Sequence, residues 1–199
     1  MSTLFTKIWH AHSVVGNLIA IDRVFLHERT GAAALKSMAA AGRPIVDPAR
    51  VFAVMDHIVD TRPGRGDQTL MPGGQAFISE TREAARAAGI TLFDVTDRDQ
   101  GIVHVVSPEL GIVLPGITLV APDSHTCTQG AFGALAWGIG SSEAEQAMAT
   151  GVLRLAPGDP VRAFNTVDGE WLWYLATVSK KHVSLRCERK LSDARLPPD

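Results

Sequence analysis

Apolar residues in this chain come in short consecutive runs rather than in strict alternation. Runs over 51–59, 90–95, 101–106 and 117–121 have the pattern of strands covered on both faces. Between the first two lies QAFISETREAARAAG (75–89), alanine-rich, with Gly89 where a helix C-terminal cap belongs. At the N-terminus, Leu4, Phe5, Ile8, Trp9, His12 and Val15 recur at helical intervals and predict an amphipathic helix. Ser142 and Glu145 have capping-box spacing, which predicts a helix over 143–153. The stretch 61–74, TRPGRGDQTLMPGG, has no period and predicts a long loop, a kind of segment that often carries function. Strand and helix alternate, so the expected class is α/β, a mostly parallel sheet with helices packed on it.

Composition narrows the function more than the fold. The 199 residues are 46% hydrophobic and 20% charged, an ordinary globular balance for one domain with an appendage. A formal charge of -2 supplies no field for collecting phosphates, so nucleic acid is not an expected partner. The longest apolar stretch, 111–120, is too short and interrupted to cross a bilayer, so no membrane association is expected. Cys127 and Cys187 are too few and too far apart for a disulfide scaffold or compact zinc site, and a cytoplasmic location is the simplest expectation. Beyond Leu153 the character changes. The first 152 residues carry 11 Lys/Arg against 15 Asp/Glu, the last 47 carry 8 against 6, and two of four tryptophans lie there. Two units are therefore expected, 1–153 and a divergent tail, 154–199. The tail is either out-of-frame or poorly ordered sequence, or a short hairpin with Trp171, Trp173 and Leu175 alternating onto one face.

Three constellations carry candidate chemistry: Asp56-His57 in VFAVMDHIV, His104 in GIVHVV, and Asp123-Ser124-His125 after GITLVAP. Each is expected in or at the end of a strand, and in open parallel sheets ligands bind beyond the carboxyl ends of the strands. A carboxylate beside an imidazole fixes its tautomer and raises its basicity. Adjacent strand residues face opposite ways, so Asp56 and His57 can pair only across a bend. Each group could also be a satisfied polar residue at a strand end. PDSHT is not the G-x-S-x-G elbow of a serine hydrolase. His10 and His12 lie two apart on a helix, on different faces, and read as surface or packing residues. Gly130, Gly133, Gly138 and Gly140 match neither a dinucleotide nor a P-loop fingerprint and suit close packing beneath a site.

The segments TLFTKIWHAHSVV, IDRVFLHE, AGRPIVDP, FAVMDH and GIVHVVSPELGIVLPGITLVAPDSHTCTQGAFGALAWGIGSSEAEQAMAT resemble, in order and spacing over about residues 3–153, the aconitase superfamily, and within it the large subunits of 3-isopropylmalate dehydratases. The resemblance implies a three-layer α/β/α domain, here expected to be incomplete. It also implies a hydro-lyase acting on a small hydroxy-dicarboxylic acid, with a [4Fe-4S] cluster whose open iron serves as Lewis acid, and a small-subunit partner. Carried onto this chain, it makes Asp56, His57, His104, Asp123 and His125 catalytic, with His104 paired to Asp123. Ser124 and Thr126 would contact substrate, and His57 or His125 would assist the leaving hydroxyl. 3-Isopropylmalate of leucine biosynthesis is the first candidate substrate. The 61–74 loop departs from the commonest pattern for it and leaves methylmalates open, and a non-catalytic small-acid-binding or interaction module is the alternative of another class. The family's cluster cysteines have no counterpart here, and Cys127 and Cys187 are expected to be incidental to any metal.

Overall fold

The computed structural model describes residues 3–156, 158–165, 169–178 and 183–192. In chain order the elements are α1 (Leu4–His12), β1 (Ser13–Val15), β2 (Leu18–Ala20), β3 (Arg23–His27), α2 (Gly31–Ala40), β4 (Val51–Val54), α3 (Gly74–Ala88) and β5 (Thr91–Phe93). Next come α4 (Val103–Glu109), β6 (Thr118–Ala121), a 3-10 segment (Thr126–Phe132), β7 (Leu135–Gly138), α5 (Ser141–Thr150) and β8 (Val152–Arg154). The chain ends on β9 (Pro160–Asn165), β10 (Gly169–Val178) and β11 (Val183–Ser192).

Five strands form one parallel sheet in the order β5-β4-β3-β6-β7. Its two faces are both buried, which is why its strands read as unbroken apolar runs. Val24 and Leu26 of β3 pack with Ala53 and Val120 beneath Leu35 and Met38 of α2, Ala84 and Ala85 of α3, and Ala144, Ala147 and Met148 of α5. Phe25 points the other way and joins Val54, Leu119, Val103 of α4, and Ile112 and Val113. The domain is thus an α/β fold of three layers. The helix predicted over 75–89 is α3, and Gly89 closes it at φ 67°, its N–H reaching the carbonyls of Ala85 and Arg86.

Three expectations change. The run 101–106 is not a strand: burial recurs at Val103, Val106 and Ser107, a helical interval, while Val105 is exposed, and the segment winds into α4. The strand predicted over 51–59 ends at Val54: the Met55 N–H still bonds to the Phe93 carbonyl, but the amides of Asp56 and His57 bond to a side chain instead of a neighbouring strand. The helix predicted over 143–153 runs from Ser141 to Thr150, where Gly151 caps it and the chain enters β8; its N-terminal cap is Gly140, whose N–H donates to Glu143 Oε2 at 2.7 Å, while Ser142 and Glu145 lie within the helix.

The 61–74 loop is pinned by Arg82 of α3, whose guanidinium makes a two-pronged bond to Asp67 (2.8 and 2.7 Å) and a second to Asp94 (2.5 and 2.8 Å). His12 packs as expected, spanning the Ile8 carbonyl (2.8 Å) and the Asp22 carboxylate (2.7 Å). In the C-terminal part, β9, β10 and β11 form an antiparallel sheet rather than a lone hairpin. Leu175 is buried and, with Phe5, Trp9, Leu135, Trp137 and Leu155, lines a small cavity against the body of the fold. The side-chain alternation expected of Trp171 and Trp173 lies outside the described residues.

Candidate active site

Three neighbouring strands, β4, β3 and β6, run parallel and end together. Beyond their carboxyl ends lie Asp56-His57, His27-Glu28 and Asp123-Ser124-His125 in turn. Helix α4 adds His104 from the side. The topology therefore brings the three constellations to one place, as a parallel sheet should.

Asp123 is the centre. Its Oδ2 lies 3.4 Å from His57 Nε2, and its Oδ1 lies 3.4 Å from both His104 Nε2 and His125 Nδ1. These contacts are longer than hydrogen bonds but within ion-pair range. Oδ1 accepts one short bond, 2.6 Å, from the His125 N–H. Burial alone would push the Asp123 carboxyl up, but that amide and the positive fields of His104, His57 and His125 hold it below its ordinary value. Asp123 is thus an anion encircled by imidazoles. The pairing of His104 with Asp123 that the resemblance implied is present at ion-pair distance, and two further histidines share the carboxylate.

His57 is the strongest acid–base candidate. The bend needed for a direct pair exists: Asp56 Oδ1 sits 2.6 Å from His57 Nδ1. Asp56 is almost wholly buried and turns its other oxygen to the Val103 N–H at 3.1 Å, so one carboxylate orients the imidazole and caps α4. The hydrogen bond that His57 Nδ1–H donates to the Asp56 carboxylate raises the His57 pKa; burial opposes it, and the charges of Asp56, Glu28 and Asp123 add to the rise. With 30% of its side chain exposed, His57 can meet a ligand.

His27 and Glu28 carry no period or motif that marked them beforehand. Their signal was positional, a polar pair closing the apolar run RVFL as Asp56-His57 closes another. His27 stacks on His57 with centroids 3.9 Å apart and planes 18° from parallel. Its Nδ1 accepts the Arg29 N–H (3.2 Å), so Nε2 carries the proton and donates to the Pro122 carbonyl (3.0 Å). Burial lowers its pKa; the bond to the Pro122 carbonyl opposes this, and the charge of His57 lowers it further.

Of the remaining expected residues, Ser124 is exposed, its Oγ 3.2 Å from His125 Nδ1, and His125 is exposed over 73% of its side chain. Thr126 is placed differently from the substrate contact expected of it. It is fully buried, and its hydroxyl donates to the Asp123 carbonyl at 2.6 Å, bracing the turn from behind. Gln129, equally buried, places Nε2 3.5 Å from His104 Nδ1. The glycine segment does support the site: a Cβ on Gly138 would lie 2.6 Å from the Asp123 carbonyl oxygen. Asp123 and Ser124 also border a cleft of about 440 Å³ with Cys127, Trp137, Glu143 and Tyr174.

An open α/β sheet with acid and imidazole groups gathered at its strand ends is an arrangement chemically suited to proton transfer. The sequence matches the model of the Aconitase family (aconitate hydratase) over residues 6–170, and the chain belongs to that family. The match runs past Leu153 into β10, farther than the resemblance read from the sequence. Family members are hydro-lyases and generally bind a [4Fe-4S] cluster. The residues here do not fit that group. A cubane is held by converging thiolates, the chain has two cysteines, and Cys127 follows the DSH turn whereas Cys187 is exposed on β11. His27, Glu28 and His57 could bring one donor atom each within 4.8 Å of the others, but apart from His57 Nε2 their ring nitrogens and carboxylate oxygens are already bonded to Arg29, Pro122, Asp56 and backbone amides. Among the described residues no helix is long and apolar enough to cross a membrane.

Proposed function

We propose that this chain supplies the proton-transfer and acid-binding part of a hydro-lyase site for a small hydroxy-dicarboxylic acid. The observation that carries the reading is the Asp123 carboxylate held 3.4 Å from each of three imidazoles, one of them the proton-rich His57. His57 serves the leaving-group half of the reaction: its proton goes to the hydroxyl oxygen as the C–O bond breaks and water departs, the proton of the neighbouring carbon goes to a separate base, and in the hydration direction His57 takes a proton from the attacking water; Asp56 stabilises the imidazolium form before the transfer. His125, exposed and beside Ser124, contacts a substrate carboxylate together with the Ser124 hydroxyl. 3-Isopropylmalate, and with it a role in leucine biosynthesis, is the first candidate, with methylmalates as the alternative. A small subunit of a heterodimeric dehydratase is the proposed partner, and the cytoplasm the proposed compartment.

One observation favours a second reading, a non-catalytic acid-binding module: two cysteines do not hold a cubane. Anaerobic reconstitution with iron and sulfide, followed by turnover assays, tests both. The purified chain is expected to gain no cluster absorption and to dehydrate neither 3-isopropylmalate nor methylmalates, since hydroxide is a poor leaving group without a Lewis acid. Turnover that survives exhaustive chelation contradicts this account. In a longer relative bearing the same motifs, His104→Ala and Asp123→Asn should each cost roughly 100-fold or more in kcat. Their combination should be little worse than either, because paired groups act as a unit. Multiplicative losses would show that the two act separately.

A further inference from the structure

Glu28 is a carboxylate at zero exposure, directly after β3 and with no cation among its described partners. Burying such a charge is costly unless its lone pairs are satisfied. Here they are met entirely by backbone donors: Oε2 accepts the Asp56 N–H at 3.1 Å, and Oε1 accepts the N–H of His57 at 2.7 Å and, closer still, that of Ile58. These are the first amides past Met55, whose own N–H still bonds to the Phe93 carbonyl. The Glu28 main chain is tied in turn, its carbonyl accepting the Thr81 hydroxyl at 3.2 Å from the buried face of α3.

From this geometry we infer that Glu28 is a positioning residue for the Asp56–His57 pair. By clasping three consecutive N–H groups, its carboxylate stops β4 and turns the chain so that Asp56 Oδ1 meets His57 Nδ1 and His57 Nε2 faces Asp123. Without the clasp, Asp56 and His57 would continue the strand on opposite faces and could not pair. A carboxylate suits the task because it accepts at two oxygens and carries no donor. Glutamine would place an N–H₂ against at least one of the same N–H groups. The assignment rests on the proposed acid–base role of His57 for its functional meaning, though not for its test.

The groups facing His57 are Asp56 on its own turn, His27 and Glu28 at the end of β3, and Asp123 beyond β6. Nitrogen-15 spectra of the His57 ring, recorded through a pH titration of the full chain, read the Asp56–His57 bond directly. In Glu28→Gln the His57 pKa should fall and its Nδ1–H signal should lose the shift of a carboxylate-bonded proton. Glu28→Asp, which keeps the charge but is one methylene short, should do the same, because the loss is of aim as well as of field. A folded Glu28→Gln protein with unaltered His57 titration and Nδ1–H signal overturns the assignment. Should either variant fail to fold, the unsubstituted protein decides. Scalar couplings across the hydrogen bonds should link the amide nitrogens of His57 and Ile58 to the Glu28 carboxyl carbon. Those amides should also exchange on the order of 100-fold more slowly than unstructured ones, whereas uncoupled, freely exchanging amides refute the clasp. None of these readouts involves substrate, so their failure and failure of the hydro-lyase reading are separate results.

Discussion

Asp56 serves two neighbours with its two oxygens, and through them it decides the protonation of His57. The raised His57 pKa and the lowered Asp123 pKa have opposite consequences for pH. For His57 the folded value exceeds the ordinary 6.5, so its contribution to stability is complete below that pH and is lost as pH rises through the folded value. For Asp123 the folded value lies below 3.8, so its contribution is present above that pH and is lost as pH falls through the folded value. Between those limits the two charges coexist, and the site holds an imidazolium beside a carboxylate. Proton NMR of the histidine rings should show His57 titrating above its ordinary range, and Asp56→Asn should bring it down toward that range. Titration of His57 at or below the ordinary value in the unsubstituted protein would remove the acid from the mechanism.

The elements place these groups through close approaches that composition does not announce. Gly138, at the end of β7, leaves room for the Asp123 carbonyl where a Cβ would sit 2.6 Å away, against backbone rather than a movable side-chain end. Gly138→Ala should therefore cost about 1–3 kcal/mol and shift the amide signals of Asp123 to His125. Gly130→Ala, which meets nothing within 4 Å, should stay within about 0.5 kcal/mol. Urea denaturation of the two variants checks the contrast, and equal stabilities would mean that Gly138 is not the support of the turn. Such approaches explain what could and could not be read from the chain. The apolar runs of β4, β5 and β6 and the helix α3 were legible because burial on both faces and a glycine cap leave local signatures. α4 was misread because a run of β-branched residues suits a strand, and only the Asp56 carboxylate at the Val103 N–H and the i, i+3 burial of Val103 and Val106 reveal the helix. β3 and β7 went unmarked, the first hidden among charged neighbours and the second inside a glycine-rich segment read as packing.

At the scale of the molecule, one parallel sheet and helix α4 bring three scattered sequence motifs together into a single cluster of imidazoles and carboxylates. The residue types of that centre were legible in the sequence, since imidazoles and carboxylates at strand ends imply it. His27 and Glu28 were not singled out, because their roles, a stacked ring and a backbone clasp, exist only once β3 lies between β4 and β6. The strands beyond Leu153 bring Leu175 against the body of the fold and Tyr174 to the rim of the cleft beside Ser124. The central claim is that this centre receives a small hydroxy-dicarboxylic acid, and amide NMR of the full chain titrated with 3-isopropylmalate and 2-methylmalate tests it most directly. The account predicts saturable shifts confined to residues 56–58, 103–105 and 123–126, reduced at least about tenfold in affinity by Ser124→Ala or His57→Ala. No shifts at millimolar ligand, or shifts centred on residues of α2 and α3 instead, would contradict it.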